Sequence, residues 1–330
     1  MNDDYLALLY DTAEEETAAA SVSVFGIAIT PYALCVVAAL ICGIAMLCLR
    51  CRKKGIGLDA ALTVSLLSLP LGLICARLYY CAARFDFFDS IGLENVLHLW
   101  EGGYALWGAV AGVAVAAWIA SRIHKLSFAR VMDALAAPGM LVIGLCRFAE
   151  YFSGEGRGRP LDAEESAGWL IAPPVVYNPE YGMWEIAVFV MEGLAALAIM
   201  AFVLRYRGKD GDQMRLALIL YAACQVVLES LRLGDVLAWS FVRVSQLVSA
   251  AVLAGLMIVA FVRKRKQNAV RTGKIILCAL CFALCAGIVI VMEFLQDGKW
   301  VYLDRWICYL IMAAACAGLG AATYQAVLKD

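Results

Sequence analysis

The stretch Tyr32-Ala-Leu-Cys-Val-Val-Ala-Ala-Leu-Ile-Cys-Gly-Ile-Ala-Met-Leu-Cys-Leu-Arg50-Cys-Arg52-Lys53-Lys54 decides what kind of protein this is. Eighteen uncharged, mostly apolar residues run into a cluster of four cations. About twenty apolar residues are what a bilayer core demands of a helix, and a basic cluster beside such a run marks the cytoplasmic side. Eight further runs occur. Apolar residues crowd 22–49, 59–82, 103–122, 127–150, 184–204, 214–231, 241–262, 275–294 and 306–327. Lipid offers no partner to an open strand edge, so each run is read as a helix. The expected fold is an all-α polytopic membrane protein of about nine transmembrane helices.

Composition points the same way. The 330 residues are 64% hydrophobic and 17% charged, with a mean hydropathy of +0.80, whereas a soluble domain carries about 45–50% apolar and about 25% charged residues. The net charge of −1 and the lack of a basic face interleaved with aromatics give no sign of a nucleic-acid partner. Most of the thirteen cysteines lie inside apolar runs, where Cys is a small packable residue. Two CxxC pairs, Cys48/Cys51 and Cys278/Cys281, have no His or acid beside them. The expectation is no metal and no cofactor.

Lys and Arg set the orientation. Eighteen lie in the connections after the first, third, fifth and seventh spans and at the C-terminus, against six on the other side. The N-terminal stretch 1–21 holds Asp3, Asp4, Glu14, Glu15 and Glu16 and no cation. An odd span count then puts the N-terminus outside and the C-terminus in the cytoplasm. The first run is too long for a signal peptide and has no preceding positive charge, so it is read as a retained span. One connection is long, 151–183 on the outer side, and charges lead into it.

Ionisable groups inside spans are costly and mark functional sites by default. Arg77 falls near the outer end of span two, and Arg147 and Glu150 near that of span four, followed by Glu155. Glu229 and Arg232 stand one turn apart at the outer end of span six. Tyr32 and Trp107 sit at the same depth in spans one and three. For each residue alone, snorkelling or an aromatic belt is the simpler reading; together they outline one outer-half site. Asp133 and Glu192, deeper or on the cytoplasmic side, read as interhelical hydrogen-bonding groups.

These residues also lie in segments that resemble a known family. Trp100-Glu-Gly-Gly-Tyr-Ala-Leu-Trp107-Gly-Ala-Val-Ala-Gly112 resembles the W-[DE]-G-G-M-x-x-H-G-G-x-x-G segment of bacterial prolipoprotein diacylglyceryl transferases. Cys146 to Gly158 resembles their G-R-x-[GA]-N-F-x-N-x-E-x-x-G signature, with Arg147, Ala149, Glu155 and Gly158 on specified positions. Tyr221 to Asp235 resembles Y-x-x-x-R-x-x-x-E-x-x-R-x-x-D, with Glu229 and Arg232 in place. Order and spacing hold over roughly 22–266. The chain therefore divides into an acidic outer segment 1–21, a seven-span transferase-like core 22–266, and a basic loop with two extra spans, 267–330.

The resemblance implies a plasma-membrane enzyme of bacteria. Such enzymes move the diacylglyceryl group of phosphatidylglycerol onto the lipobox cysteine of a prolipoprotein at the outer leaflet. Catalytic roles would fall to Arg147, Glu150, Glu155, Glu229 and Tyr32, and substrate binding to Arg77, Trp107, Gly158, Gln225 and Arg232. Three positions depart from the pattern: Trp107 stands for a histidine, Glu150 for an asparagine and Gln225 for an arginine. Glu150 and Gln225 leave the pocket about two charges more negative than the family pattern. Two alternatives stay open: an enzyme of the same fold using another lipid or acceptor, and a catalytically silent lipid- or lipoprotein-binding protein.

Overall fold

The computed structural model describes residues 22–24, 27–98, 102–161, 173–179, 181–233, 238–239, 242–265, 269–296 and 305–328. The acidic segment 1–21, Trp100 with Glu101, and Asp235 lie outside the described residues.

Ten helices make up almost all of it. They are α1 (Pro31–Lys53), α2 (Leu58–Ala83), the short α3 (Phe85–Ile91), α4 (Leu106–Ile123) and α5 (Phe128–Ser153). Then come α6 (Val188–Arg205), α7 (Asp212–Leu231), α8 (Val244–Arg265), α9 (Ala269–Gln296) and α10 (Arg305–Leu328). Among the described residues, eight are long and apolar enough to cross a membrane, and α9 adds the apolar stretch Ile276–Met292. Large apolar side chains such as Leu66, 73% exposed, face outward along these helices, as lipid-facing surface does. The chain is a multi-span membrane protein.

Several boundaries differ from the runs read in sequence. The first run does not begin a helix at residue 22: Val22–Val24 (β1) and Ile27–Ile29 (β2) pair antiparallel, with Val22 opposite Ile29. The helix starts at Pro31, where the Thr30 hydroxyl accepts from the Ala33 amide at 3.2 Å. Proline at the first helical position gives up an amide that has no helical partner anyway. Likewise Met183–Ala187 is a strand, and α6 begins only at Val188. The 151–183 connection and its flanks carry a three-stranded antiparallel sheet of Arg157–Pro160 (β3), Val175–Asn178 (β4) and Met183–Ala187 (β5), with β5 central. Asn178 pairs with Met183, and Arg157 with Ala187. Ala238–Trp239 (β6) and Val242–Arg243 (β7) pair before α8.

Small residues let the helices approach. A Cβ on Gly108 of α4 would sit 2.5 Å from the Cys75 carbonyl of α2, so these two axes touch through backbone. The main core joins α4, α5, α6, α7, α8 and α10 through Trp107, Met140, Ala196, Ile219, Tyr221, Leu253 and Leu319. A satellite core gathers Ile186, Val188, Leu231, Tyr309 and Met312, so α10 supports both the start of α6 and the end of α7. At the far, basic end, Asp133 accepts from the amides of Gly211 at 2.9 Å and Met214 at 3.0 Å. It caps the N-terminus of α7, the interhelical hydrogen bonding read for it in sequence.

Candidate active site

Six elements end in one place, opposite the basic connections. A cavity of about 640 Å³ is cut into the ends of α1, α2, α4, α5, α7 and α8. Tyr32, Trp107, Arg147, Glu150, Glu155, Gln225, Glu229 and Arg232 all line it. Eight of the ten candidates read from sequence therefore share one chamber.

Its polar wall is a layered ion-pair network. Arg147 comes from α5, one turn before Glu150, and Arg232 follows the last turn of α7, an end that favours cations. Behind them lies Glu192 of α6, 1% exposed. Its Oε2 stands 3.0 Å from Arg147 Nε and 3.5 Å from Arg232 Nη2. Its Oε1 accepts from Gln225 Nε2 at 3.2 Å, and the same amide nitrogen donates to Glu229 Oε2 at 2.8 Å. In front lies Glu150, whose two carboxylate oxygens take one guanidinium each: Oε1 accepts from Arg147 and Oε2 from Arg232. The two arginines are thus held between one carboxylate at the back and one at the cavity wall. Paired in this way, the buried charges recover part of the desolvation penalty that lone ions would carry in full.

Glu192 is the residue that sequence reasoning undervalued. Its place in the sequence groups it with Asp133 as a deep interhelical hydrogen-bonding acid, whereas the structure makes it the common anchor of both arginines. Depth along a helix does not tell which neighbours a side chain faces. The available signal was an acid in the first turns of an otherwise apolar helix, at the same outer end as Arg147.

The segment after α5 is stitched over this network. Gly154 ends α5 in the left-handed region, with φ +73°. Phe189 N donates to Gly156 O at 2.9 Å, Leu233 N donates to Arg157 O at 2.9 Å, and Gly158 pairs with Arg232. Gly156 has φ +67°, and a Cβ there would fall on the Glu150 carboxylate and 2.9 Å from Arg232 Nη2. Only glycine allows this approach. The fold so places Glu155 at the mouth of the cavity. Its side chain remains exposed at that mouth; partial burial among protein atoms, followed by the nearby Glu150 charge, pushes its carboxyl above the ordinary range.

Two candidates stand apart from the chamber wall. Gly158 does not line it; a Cβ there would meet the Leu231 carbonyl at 2.7 Å, so its contribution is close backbone packing behind Arg232. Arg77 is buried but faces the connection after α2. Its guanidinium donates to the carbonyls of Asn95 at 2.8 Å, Val96 at 3.3 Å and Gly102, and lies 5.3 Å over the Phe88 ring. It ties the 84–103 connection to α2. Trp107 packs edge-on against Tyr221 with centroids 6.0 Å apart, and its buried indole N–H has no hydrogen-bond partner among the described residues. Tyr32 lies within electrostatic reach of Glu155 and Glu150. Among the described residues, no group of three His, Cys, Asp or Glu could hold a metal ion.

A chamber walled by a fixed pair of arginines and several carboxylates, opening at the end of a membrane helix bundle, is a charged polar site built into a multi-span membrane protein. Arginine pairs phosphate bidentately. The sequence profile of the prolipoprotein diacylglyceryl transferase family matches residues 19–263, so the chain belongs to that family of transferases. Three relatives carry the name phosphatidylglycerol–prolipoprotein diacylglyceryl transferase. That of Lysinibacillus sphaericus is 28% identical over 229 residues, covering 66% of this chain and 82% of its own. That of Streptococcus pneumoniae is 28% identical over 246 residues, covering 73% and 92%. That of Clostridium kluyveri is 27% identical over 237 residues, covering 69% and 89%.

Proposed function

We propose that this chain transfers the diacylglyceryl group of a membrane glycerophospholipid to the thiol of a lipobox cysteine in a prolipoprotein. Phosphatidylglycerol is the donor that the relatives' names bring to it. The observation that carries this reading is the Arg147–Arg232 pair, contributed by two helices and held by Glu192 from behind at the wall of the cavity.

The reaction forms a bond between the cysteine sulfur and the glycerol carbon that bears the phosphate. The carbon–oxygen bond to that phosphate breaks, and the headgroup phosphate leaves with the electron pair. Arg147 and Arg232 neutralise the charge that grows on the leaving phosphate, a group whose departure is otherwise costly in a medium of low dielectric. The thiol, of pKa about 8.5, is a poor nucleophile until its proton is removed. Trp107 offers only a donor and cannot take that proton. Glu155 can: it lines the mouth, stands outside the ion-pair network, and its raised carboxyl suits proton transfer nearer neutrality. Tyr32 hydrogen-bonds the headgroup or the thiol, and Glu229 and Gln225 hold the inner wall. Trp107 shapes the chamber wall, while Arg77 and Gly158 brace the backbone around it from outside the lining. The charge bias of the connections puts this end of the bundle outside the cytoplasm, with both substrates reaching it from the outer leaflet of the bacterial plasma membrane.

The test is rescue of a bacterium depleted of its own transferase, with lipoprotein lipidation read by mass spectrometry. Growth and a diacylglyceryl-modified cysteine are expected with the unaltered chain and not with Arg232→Ala. Membrane-inserted protein that leaves every lipobox cysteine unmodified overturns the proposal.

A further inference from the structure

The family profile ends at residue 263, yet the chain continues into α9 and α10, and α10 reaches the joint behind the site. Along its length it packs on α7: Cys316 and Leu319 join the main core, and a Cβ on Gly320 would lie 3.4 Å from the Ala223 Cβ. At its outer end, one buried cluster unites Tyr309 and Met312, 9% and 0% exposed, with Ile186, Val188 and Leu231. Val289 and Met292 of α9 pack against the same cluster.

The arginine network hangs on those last three residues. Leu231 immediately precedes Arg232, Val188 opens α6 one turn before Glu192, and Ile186 belongs to the strand that leads into α6. The Gly158 backbone, bridged to Arg232, rests on all three: a Cβ there would lie 2.7 Å from the Leu231 carbonyl, 2.9 Å from Val188 and 3.0 Å from Ile186. Arg232 itself caps α7, with its amide on the Glu229 carbonyl at 3.2 Å. Helix ends hold few hydrogen bonds of their own and depend on what packs against them. Slack at this end would reach the ion pairs at once. Glu192 Oε2 is 3.5 Å from Arg232 Nη2, against 3.0 Å from Arg147 Nε, so about half an ångström more takes the Arg232 pair to the ion-pair limit of about 4 Å.

Resting on the transfer reaction proposed above, we propose that α10 sets the geometry of the site from outside the family core, with Met312 as a positioning residue that holds Arg232 in place against Glu192. Met312 does not line the cavity. It acts through its volume, packed in one cluster with the residue before Arg232 and the first residue of α6. A pair of spans serving only as an added anchor would leave turnover indifferent to the side chain at position 312.

The experiment measures kcat and KM of full-length variants in phosphatidylglycerol vesicles, with a lipobox peptide as acceptor and the modified peptide as readout. Met312→Ala is expected to lower kcat by about tenfold to 10²-fold, the cost of a misplaced charge. KM should change less, because the Arg232 charge counts most as the phosphate leaves. Met312→Leu keeps the volume and should stay within about threefold of the unaltered protein. Leu319→Ala is the control: it empties a buried position on the same helix, about two turns further from the site. It should lower Tm comparably while kcat stays within about threefold. In an Arg232→Lys background, where the planar fork is already lost, Met312→Ala should cost less than about threefold more. A kcat for Met312→Ala no lower than that of Leu319→Ala overturns this inference and leaves the transfer reaction standing. An undiminished cost in the Arg232→Lys background also overturns it, because Met312 then does not act through Arg232. Should Met312→Ala fail to insert, Met312→Val carries the same comparisons. Absence of product from the folded, unaltered protein overturns the transfer reaction itself.

Discussion

Glu192→Gln tests the network behind the cavity, because it removes one charge and almost no volume. Glu192 Oε2 lies 3.0 Å from Arg147 Nε and 3.5 Å from Arg232 Nη2. At an effective dielectric of about 20 those attractions are about 5.5 and about 4.7 kcal/mol. Part of that gain is offset in the unaltered protein by the desolvation of Glu192, several kcal/mol for a buried carboxylate. The net loss on breaking a buried pair by removing one partner is about 3–5 kcal/mol, and Glu150 alone then faces two guanidiniums. The neighbouring Glu229→Gln is the control: Glu229 accepts from Gln225 but pairs with neither arginine, so its expected loss is about 1 kcal/mol. Thermal unfolding of the purified proteins in one detergent should show Glu192→Gln lower in Tm by roughly 5–10 °C and Glu229→Gln by far less. A Glu192→Gln protein no less stable than Glu229→Gln would refute the assignment of Glu192 as the arginine anchor.

Other outcomes follow from the same geometry. If Glu155 takes the thiol proton, the transfer rate falls as pH drops through a pKa above the usual carboxylate range, since burial and then Glu150 raise it. Glu150→Gln removes the repulsion and should move that acid limb to lower pH. Glu155→Gln should abolish the limb and cost about 10²–10⁴ in rate. Gly156→Ala forces a side chain into the left-handed region at φ +67° and onto Glu150 and Arg232. Activity should fall about 10²-fold through misplacement of Arg232, measured against protein that remains folded. Arg147→Lys keeps the charge but cannot bond Glu192 and Glu150 from two nitrogens of one plane. Its turnover should drop at least about tenfold with little change in helix content by circular dichroism.

The helical spans, eight long ones and the shorter apolar stretch of α9 among the described residues against about nine expected, and the gathering of eight of the ten candidate residues could be read from the chain because both depend on one-dimensional quantities. Run length against bilayer thickness gives the helices, and position along each run gives depth. What could not be read depends on rotation about each helix and on local backbone choice. Arg77 shares the depth of Arg147, yet one faces a connecting segment and the other the chamber. Glu192 lies in a run so apolar that no periodic face marks the side toward Arg147 and Arg232. The paired strands Val22–Val24 and Ile27–Ile29 belong to an apolar run continuous with α1, and apolarity alone does not separate strand from helix. Thr30-Pro31, a capping residue before proline, was the signal that the helix starts there.

The most direct measurement uses a glycerophospholipid labelled with one isotope in the glycerol backbone and another in the headgroup, incubated with this protein and a lipobox peptide. The account predicts that backbone label appears on the cysteine sulfur in step with release of headgroup label as a water-soluble phosphate, and that Arg232→Ala stops both. Release of headgroup label without any label on the cysteine, or no release by folded protein, would contradict it.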